Sequence, residues 1–207
     1  MSRSSRALLI GAVIATPLFV ALWAVQAFTR DGFRPTFHPM SLLSLGDFGW
    51  VQIANFILTG LLVTGGGIGL ARALDPGRLT RWGTSLIGLM GIGLVVAGVF
   101  VTDPGAGFPV GAPDFAPQMS WHGAVHEIGF ILTQVAFVAA GTVLAVRFGR
   151  NRQRGWMVAC AAAVLAAVLV AALGDPETLA IRLVISAAIE LGLISALATG
   201  SLLHRLR

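Results

Sequence analysis

The chain has 207 residues, of which 56% are hydrophobic and 11% charged, and its mean hydropathy is +0.85. A soluble domain carries about 25% charged residues, so a water-soluble globule is excluded and a membrane protein is indicated. The 14 basic residues are all arginine and leave a net charge of +5, but they fall in short clusters between apolar runs, which excludes a nucleic-acid-binding face.

A bilayer core about 30 Å thick needs roughly 20 apolar residues of helix. Six stretches meet that length, about 7–28, 50–74, 82–102, 121–146, 155–174 and 178–203. They predict an all-α polytopic membrane protein, with six transmembrane helices in one bundle and a single domain over residues 1–207. Span one follows Arg3 and Arg6 and has the look of a signal peptide with Val25-Gln26-Ala27 as cleavage site. Its apolar run is longer than the roughly 7–15 residues of a signal core, so a retained anchor is expected.

Loop one, "TRDGFRPTFHPMSLLSLGDFG" (29–49), carries an apolar piece after Pro39. Proline suits a first helical turn, so residues 39–46 are expected to form a short interfacial or re-entrant helix with His38 at its N-cap. In span two, "TGGGIGLAR" (64–72) lacks the GK[ST] ending of a phosphate loop. Gly65 and Gly69 instead present a small-xxx-small face for helix packing. Loop three, "DPGAGFPVGAPDFAPQMS" (103–120), holds four prolines and three glycines. Loops beyond about 12–15 residues are functional or disordered, and Phe108, Val110, Phe115 and Met119 favour a packed lid. Asp-Pro also follows spans two (Asp75) and five (Asp175), where it stops a helix. An acid at a helix C-terminus opposes the dipole, which suggests another purpose for one of them.

Span four opens with "SWHGAVHE" (120–127), and "RFGRNRQRGW" (147–156) leads into span five as a topology anchor that attracts anionic lipid. Cys160 lies alone in span five, so no intramolecular disulfide exists. Glu190 stands about 18 Å down span six. At that depth a carboxylate costs several kcal/mol unless paired or protonated. Ser186 shares its helix face, Arg182 lies two turns away, and Gln26, Asn55 and Gln134 are candidate partners.

Arginine counts orient the bundle. With both termini cytoplasmic, Arg3, Arg6, Arg72, Arg78, Arg81, Arg147, Arg150, Arg152, Arg154, Arg205 and Arg207 lie inside, and Arg30, Arg34 and Arg182 outside. Trp23, Trp50 and Trp121 then fall at outer span ends, and Trp82 and Trp156 at inner ones, as an interfacial belt. The long loops one and three face outward, and the expected location is the bacterial cytoplasmic membrane.

In this topology His38, Asp103, His122 and His126 share the outer end. His122 and His126, at i and i+4, lie on one helix face with Cβ atoms about 5–6 Å apart. Two imidazoles so placed can chelate a metal, and His38 with Asp103 supplies further donors. By ligand type this set points to zinc. Ser41 orients a water or ligand, and Asp103 is a candidate base. The plainer alternative has His122 capping span four and His126 bonding a neighbouring helix, with Ser41 only a polar helix residue. In H-E-x-x-H proteases the glutamate follows the first histidine. Glu127 follows the second, about 140° round the helix from His122, so the protease reading fails and Glu127 meets another helix or supports the site indirectly.

At "FHPMSLLSLGDFGWVQIANF", "FVTDPGAGFPVGAP" and "SWHGAVHE" the chain resembles the bacterial six-span family known as domain of unknown function 998, over roughly residues 8–200. The resemblance implies a six-helix integral membrane protein and puts His38, Asp103, His122 and His126 on the family's motif positions. It implies no activity and says nothing of Glu190. A looser analogy, in residue types alone, is to the alkaline ceramidase and progestin-receptor-like superfamily of seven-span zinc hydrolases, whose span count and order differ. Three readings stand open. The first is a metal-dependent hydrolase acting on lipid or another membrane-associated substrate, with metal-bound water as nucleophile. The second is a non-enzymatic transporter or structural protein whose histidines organise the lid, and for which Glu190 is the main support. The third is haem binding, in which His38 must supply the ligand opposite His122 or His126.

Overall fold

The computed structural model describes residues 1–114 and 118–203; Phe115, Arg205 and Arg207 lie outside the described residues. Six α-helices run in chain order: α1 (Arg3–Thr29), α2 (Gly49–Ala73), α3 (Arg78–Val99), α4 (Trp121–Arg150), α5 (Arg154–Ala172) and α6 (Leu179–Leu202). All six are long and apolar enough to cross a membrane, and the protein is a multi-pass membrane protein in a lipid bilayer. No β-strand occurs among the described residues.

Consecutive helices pack side by side, and α6 returns to α1 to close the ring. The firmest contacts are α2 with α3 and α3 with α4, whereas α4 and α6 hardly meet. Glycine explains the first two. A Cβ at Gly60 would lie 2.5 Å from the Gly91 carbonyl oxygen, and one at Gly67 2.7 Å from that of Thr84. On the other side of α3, Gly93 and Gly129 each face the other's carbonyl, at 2.7 and 2.8 Å from a built Cβ. Backbones this close leave no room for a side chain, the small-residue packing that lipid-embedded helices rely on. Gly65 and Gly69 pack instead on Leu8 and Leu9 side chains of α1.

Pro17 sits inside α1 and removes the N–H that would bond the Val13 carbonyl. Ser195 of α6 lies beside that gap, donating to the Ala12 carbonyl at 2.9 Å. At the arginine-bearing end, Arg147 is buried rather than lipid-facing: its Nε donates to Thr80 Oγ1 at 2.8 Å, joining α4 to α3. Trp23 also departs from the belt, being buried under loop one, while Trp50, Trp82 and Trp121 are exposed.

Candidate functional site

The end of the bundle that carries loops one and three is capped by two side-chain assemblies. The first joins α3 to α4. A helix leaves its last carbonyls and first N–H groups without partners, and here each helix satisfies the other. His126 Nδ1 lies 2.8 Å from the Ala97 oxygen and 2.9 Å from that of Phe100, and His122 Nδ1 lies 2.9 Å from that of Val101. A carbonyl only accepts, so both rings carry a hydrogen on Nδ1. In return Asp103, just past α3, accepts from Ser120 N at 2.8 Å and Ser120 Oγ at 2.6 Å, and Ser120 Oγ accepts from Gly123 N. Gly123 is required, because a Cβ there would collide with the Asp103 carboxylate. The acid after α3 thus serves the favourable positive end of α4. Burial pushes the Asp103 pKa up, but the two Ser120 bonds and the nearby His122 and His126 outweigh it, and the net shift is downward.

The second assembly ties loop one to loop three. The expected short helix is a 3-10 helix, Met40–Ser44, and its N-cap is Pro39, not His38. His38 lies just before it, almost fully buried, with both ring nitrogens engaged. Nδ1 accepts from Arg34 N–H at 2.9 Å and Nε2 donates to the Ala106 carbonyl at 2.9 Å. Its ring packs against Phe33, Phe37 and Phe108. Burial lowers its pKa, Arg34 lowers it further, and the Ala106 bond opposes both. Among the described residues of loop three, Phe108 is buried against loop one, whereas Val110 and Met119 are largely exposed. Arg30 adds a strap, its guanidinium donating to the Leu45 carbonyl at 2.6 Å.

Below this roof lies a cavity of about 310 Å³. Its walls are largely apolar, with Phe19, Phe56, Met90, Leu94 and Leu191 among them. The polar side chains among its lining residues come from loop one (Ser41), the segment after α3 (Thr102, Asp103), α4 (His126, Glu127, Thr133, Gln134) and α6 (Glu190). Exposed Glu127 and Phe130 mark a side opening where α4 and α6 part. At the bottom, Glu190 Oε1 accepts from Gln134 Nε2 at 3.0 Å and lies 3.0 Å from Ser186 Oγ. This pair spans the gap between α4 and α6, and it also lines a crevice on the α5 side. The other candidate partners are committed elsewhere: Gln26 and Asn55 bond Gln52, and Arg182 bonds the Ala171 and Asp175 carbonyls.

The residues singled out in the sequence therefore fall into two groups. Ser41, Asp103, His126, Glu127 and Glu190 share the cavity, while His38 belongs to the roof and His122 to the α3–α4 corner. His122 Nε2 approaches Asp103 Oδ1 at 3.8 Å, but among the described residues no three His, Cys, Asp or Glu side chains gather as a metal site. His38 has no free nitrogen for zinc or haem iron in this geometry. Ser120 and Arg30 were missed. A serine before an apolar helical run is an N-cap signal, whereas nothing local to Arg30 announces its carbonyl partners. Residues 13–200 match the family model described as Protein of unknown function (DUF998), and the chain belongs to that family. No curated protein and no solved structure matches it.

Proposed function

We propose that this protein binds an amphipathic small molecule, lipid-like in size and character, drawn from the bilayer through the opening between α4 and α6. The observation that carries the reading is the cavity itself. Its lining is largely apolar, loops one and three contribute residues to its outer end, exposed Glu127 and Phe130 stand where α4 and α6 part, and a few polar side chains converge on it. Ligand sites are concave, mostly apolar and provided with a few converging polar groups. With the arginine-bearing end in the cytoplasm, the opening lies in the outer leaflet of the bacterial cytoplasmic membrane.

The test is saturable binding of an environment-sensitive alkyl fluorophore to the full chain in nanodiscs. Ala187 lines the cavity, and Ala187→Trp fills it. Binding weakened by about tenfold or more, a 1.4 kcal/mol loss, supports the reading; unchanged binding overturns it.

A metal-dependent hydrolase is the second reading, favoured by one observation. His122 and His126 each give Nδ1–H to a backbone carbonyl, and no hydrogen bond engages either Nε2 among the described residues, the arrangement by which metal-binding histidines are oriented. The two Nε2 atoms would hold the ion, which would activate water toward a lipid or membrane-associated substrate. Asp103, with both oxygens bonded to Ser120, would orient this site rather than act as base. Zinc at one equivalent, lost in His122→Ala and His126→Ala, would support it. Metal-free wild type of full thermal stability would sink it.

A further inference from the structure

The chemistry of the cavity is opposite in sign to that of the chain. The protein has 14 arginines against nine acids, yet Asp103, Glu127 and Glu190 line the cavity with no arginine among the lining residues. From this we infer that the ligand is a cation: a single-chain lipophilic amine whose ammonium group pairs with Glu190. The inference rests on the cavity reading above and adds the charge and class of what enters.

Glu190 is the independent observation. It is 2% exposed, and its hydrogen-bond partners are neutral, Gln134 and Ser186. Ser186 has one hydrogen to give, and the Ala167 carbonyl at 3.1 Å competes for it. Glu190 Oε2 makes no hydrogen bond among the described residues and is not among the fully enclosed orphan atoms, and its residue lines both the cavity and the crevice on the α5 side. A carboxyl at membrane depth is stabilised by a counter-charge, and none of the described residues supplies one at hydrogen-bond distance. Arg182, on the same helix, is spent on the Ala171 and Asp175 carbonyls.

The surroundings favour an ammonium over the alternatives. Phe19, Phe56 and Phe130 are among the lining residues, and an aromatic ring attracts a cation placed over its face. Glu127, exposed beside the opening, gives it the sign that draws cations in, and Asp103 adds negative charge to the cavity lining. An anionic headgroup would meet three carboxylates and one histidine. At about 310 Å³ the space is at the lower end of the range for small-molecule pockets, which suits one alkyl chain and not a two-chain phospholipid.

The experiment uses the full chain in phosphatidylcholine nanodiscs, with n-decylammonium, n-decanol and n-decyl sulfate competing against the alkyl fluorophore. Decylammonium should displace it best and decyl sulfate worst. Glu190→Gln keeps a side chain of the same shape and should weaken decylammonium by about tenfold or more, as removing one partner of a desolvated charge pair does. Decanol should shift by less than about threefold, and Glu190→Asp should recover part of the loss. Should decanol match decylammonium in the wild type, or Glu190→Gln leave decylammonium unchanged while Ala187→Trp still blocks every competitor, the cation is overturned and the cavity reading survives. Failure of all three to compete, with Ala187→Trp indifferent, overturns both. If Glu190→Gln does not fold, Glu127→Gln supplies the charge test at the mouth, with a smaller expected loss of about threefold; an unchanged decylammonium affinity there counts against the cation.

Discussion

Helix α4 has two very different neighbours. Toward α3 it presents His122, His126, Gly129, Thr133, Leu144 and Arg147, and nearly every one touches α3 backbone or fills a gap left by its glycines. Toward α6 it presents Gln134 and a void, with one side-chain hydrogen bond across. In hydrocarbon there is no hydrophobic drive to bring helices together, so close backbone approach and hydrogen bonding decide which pairs hold. The α3 boundary has both in quantity. The α6 boundary has one hydrogen bond and almost no surface contact, and the cavity occupies that side.

Adding volume at the tight boundary should produce the largest effect of all. Gly129→Val should cost about 3 kcal/mol or more, seen as loss of a folded peak in size-exclusion chromatography. The same substitution size on the lipid-facing side, Ile131→Ala, should shift the unfolding midpoint little. Next comes Asp103→Ala, which strips α4 of its capping acceptor and should cost about 2 kcal/mol in thermal unfolding; Asp103→Asn should retain part of it. His126→Leu, which leaves the Ala97 and Phe100 carbonyls without a donor, should cost about 1–3 kcal/mol. At the loose boundary Gln134→Leu should cost only about 0.6 kcal/mol, the usual worth of such a bond in a membrane. A cost at Gln134 equal to that at Asp103 would erase the contrast. The smallest effect is a pH response in the roof. His38 is held neutral, with its pKa below the ordinary 6.5. Its contribution is complete above that value and declines as pH falls through the folded pKa. Hydrogen exchange in residues 33–38 and 105–108 should therefore rise on acidification, and His38→Asn should flatten the response.

The six spans were legible because hydrocarbon demands length and apolarity, and both are written locally; every predicted span overlaps an observed helix within a few residues. The candidate residues were legible as a set, because polar groups are scarce and conspicuous in such a chain. Their partners were not. That His126 would meet Ala97 depends on the antiparallel register of α3 and α4, which Gly93 and Gly129 fix across the interface. The carboxylate of Asp103 was read as a metal donor or base, yet its closest chemistry is with Ser120. Only the objection to an acid at a helix C-terminus pointed there. Gln134 was one of three equal candidates for Glu190, and only the ring order of the helices separates it from Gln26 and Asn55.

The reciprocal bonds between Asp103, Ser120, His122 and His126 also decide what the chain between them is free to do. They close the α3–α4 hairpin at its neck, and the loop beyond it is tied back to loop one through Ala106 and Phe108. Gly111, exposed and with no neighbour within 4 Å of a built Cβ, is the natural place to splice in a peptide tag. Such an insertion should leave the unfolding midpoint intact while giving proteases a handle on one side of the membrane only. Cleavage from outside intact cells would fix the sidedness of the whole molecule, and resistance there with cleavage in inverted vesicles would reverse it.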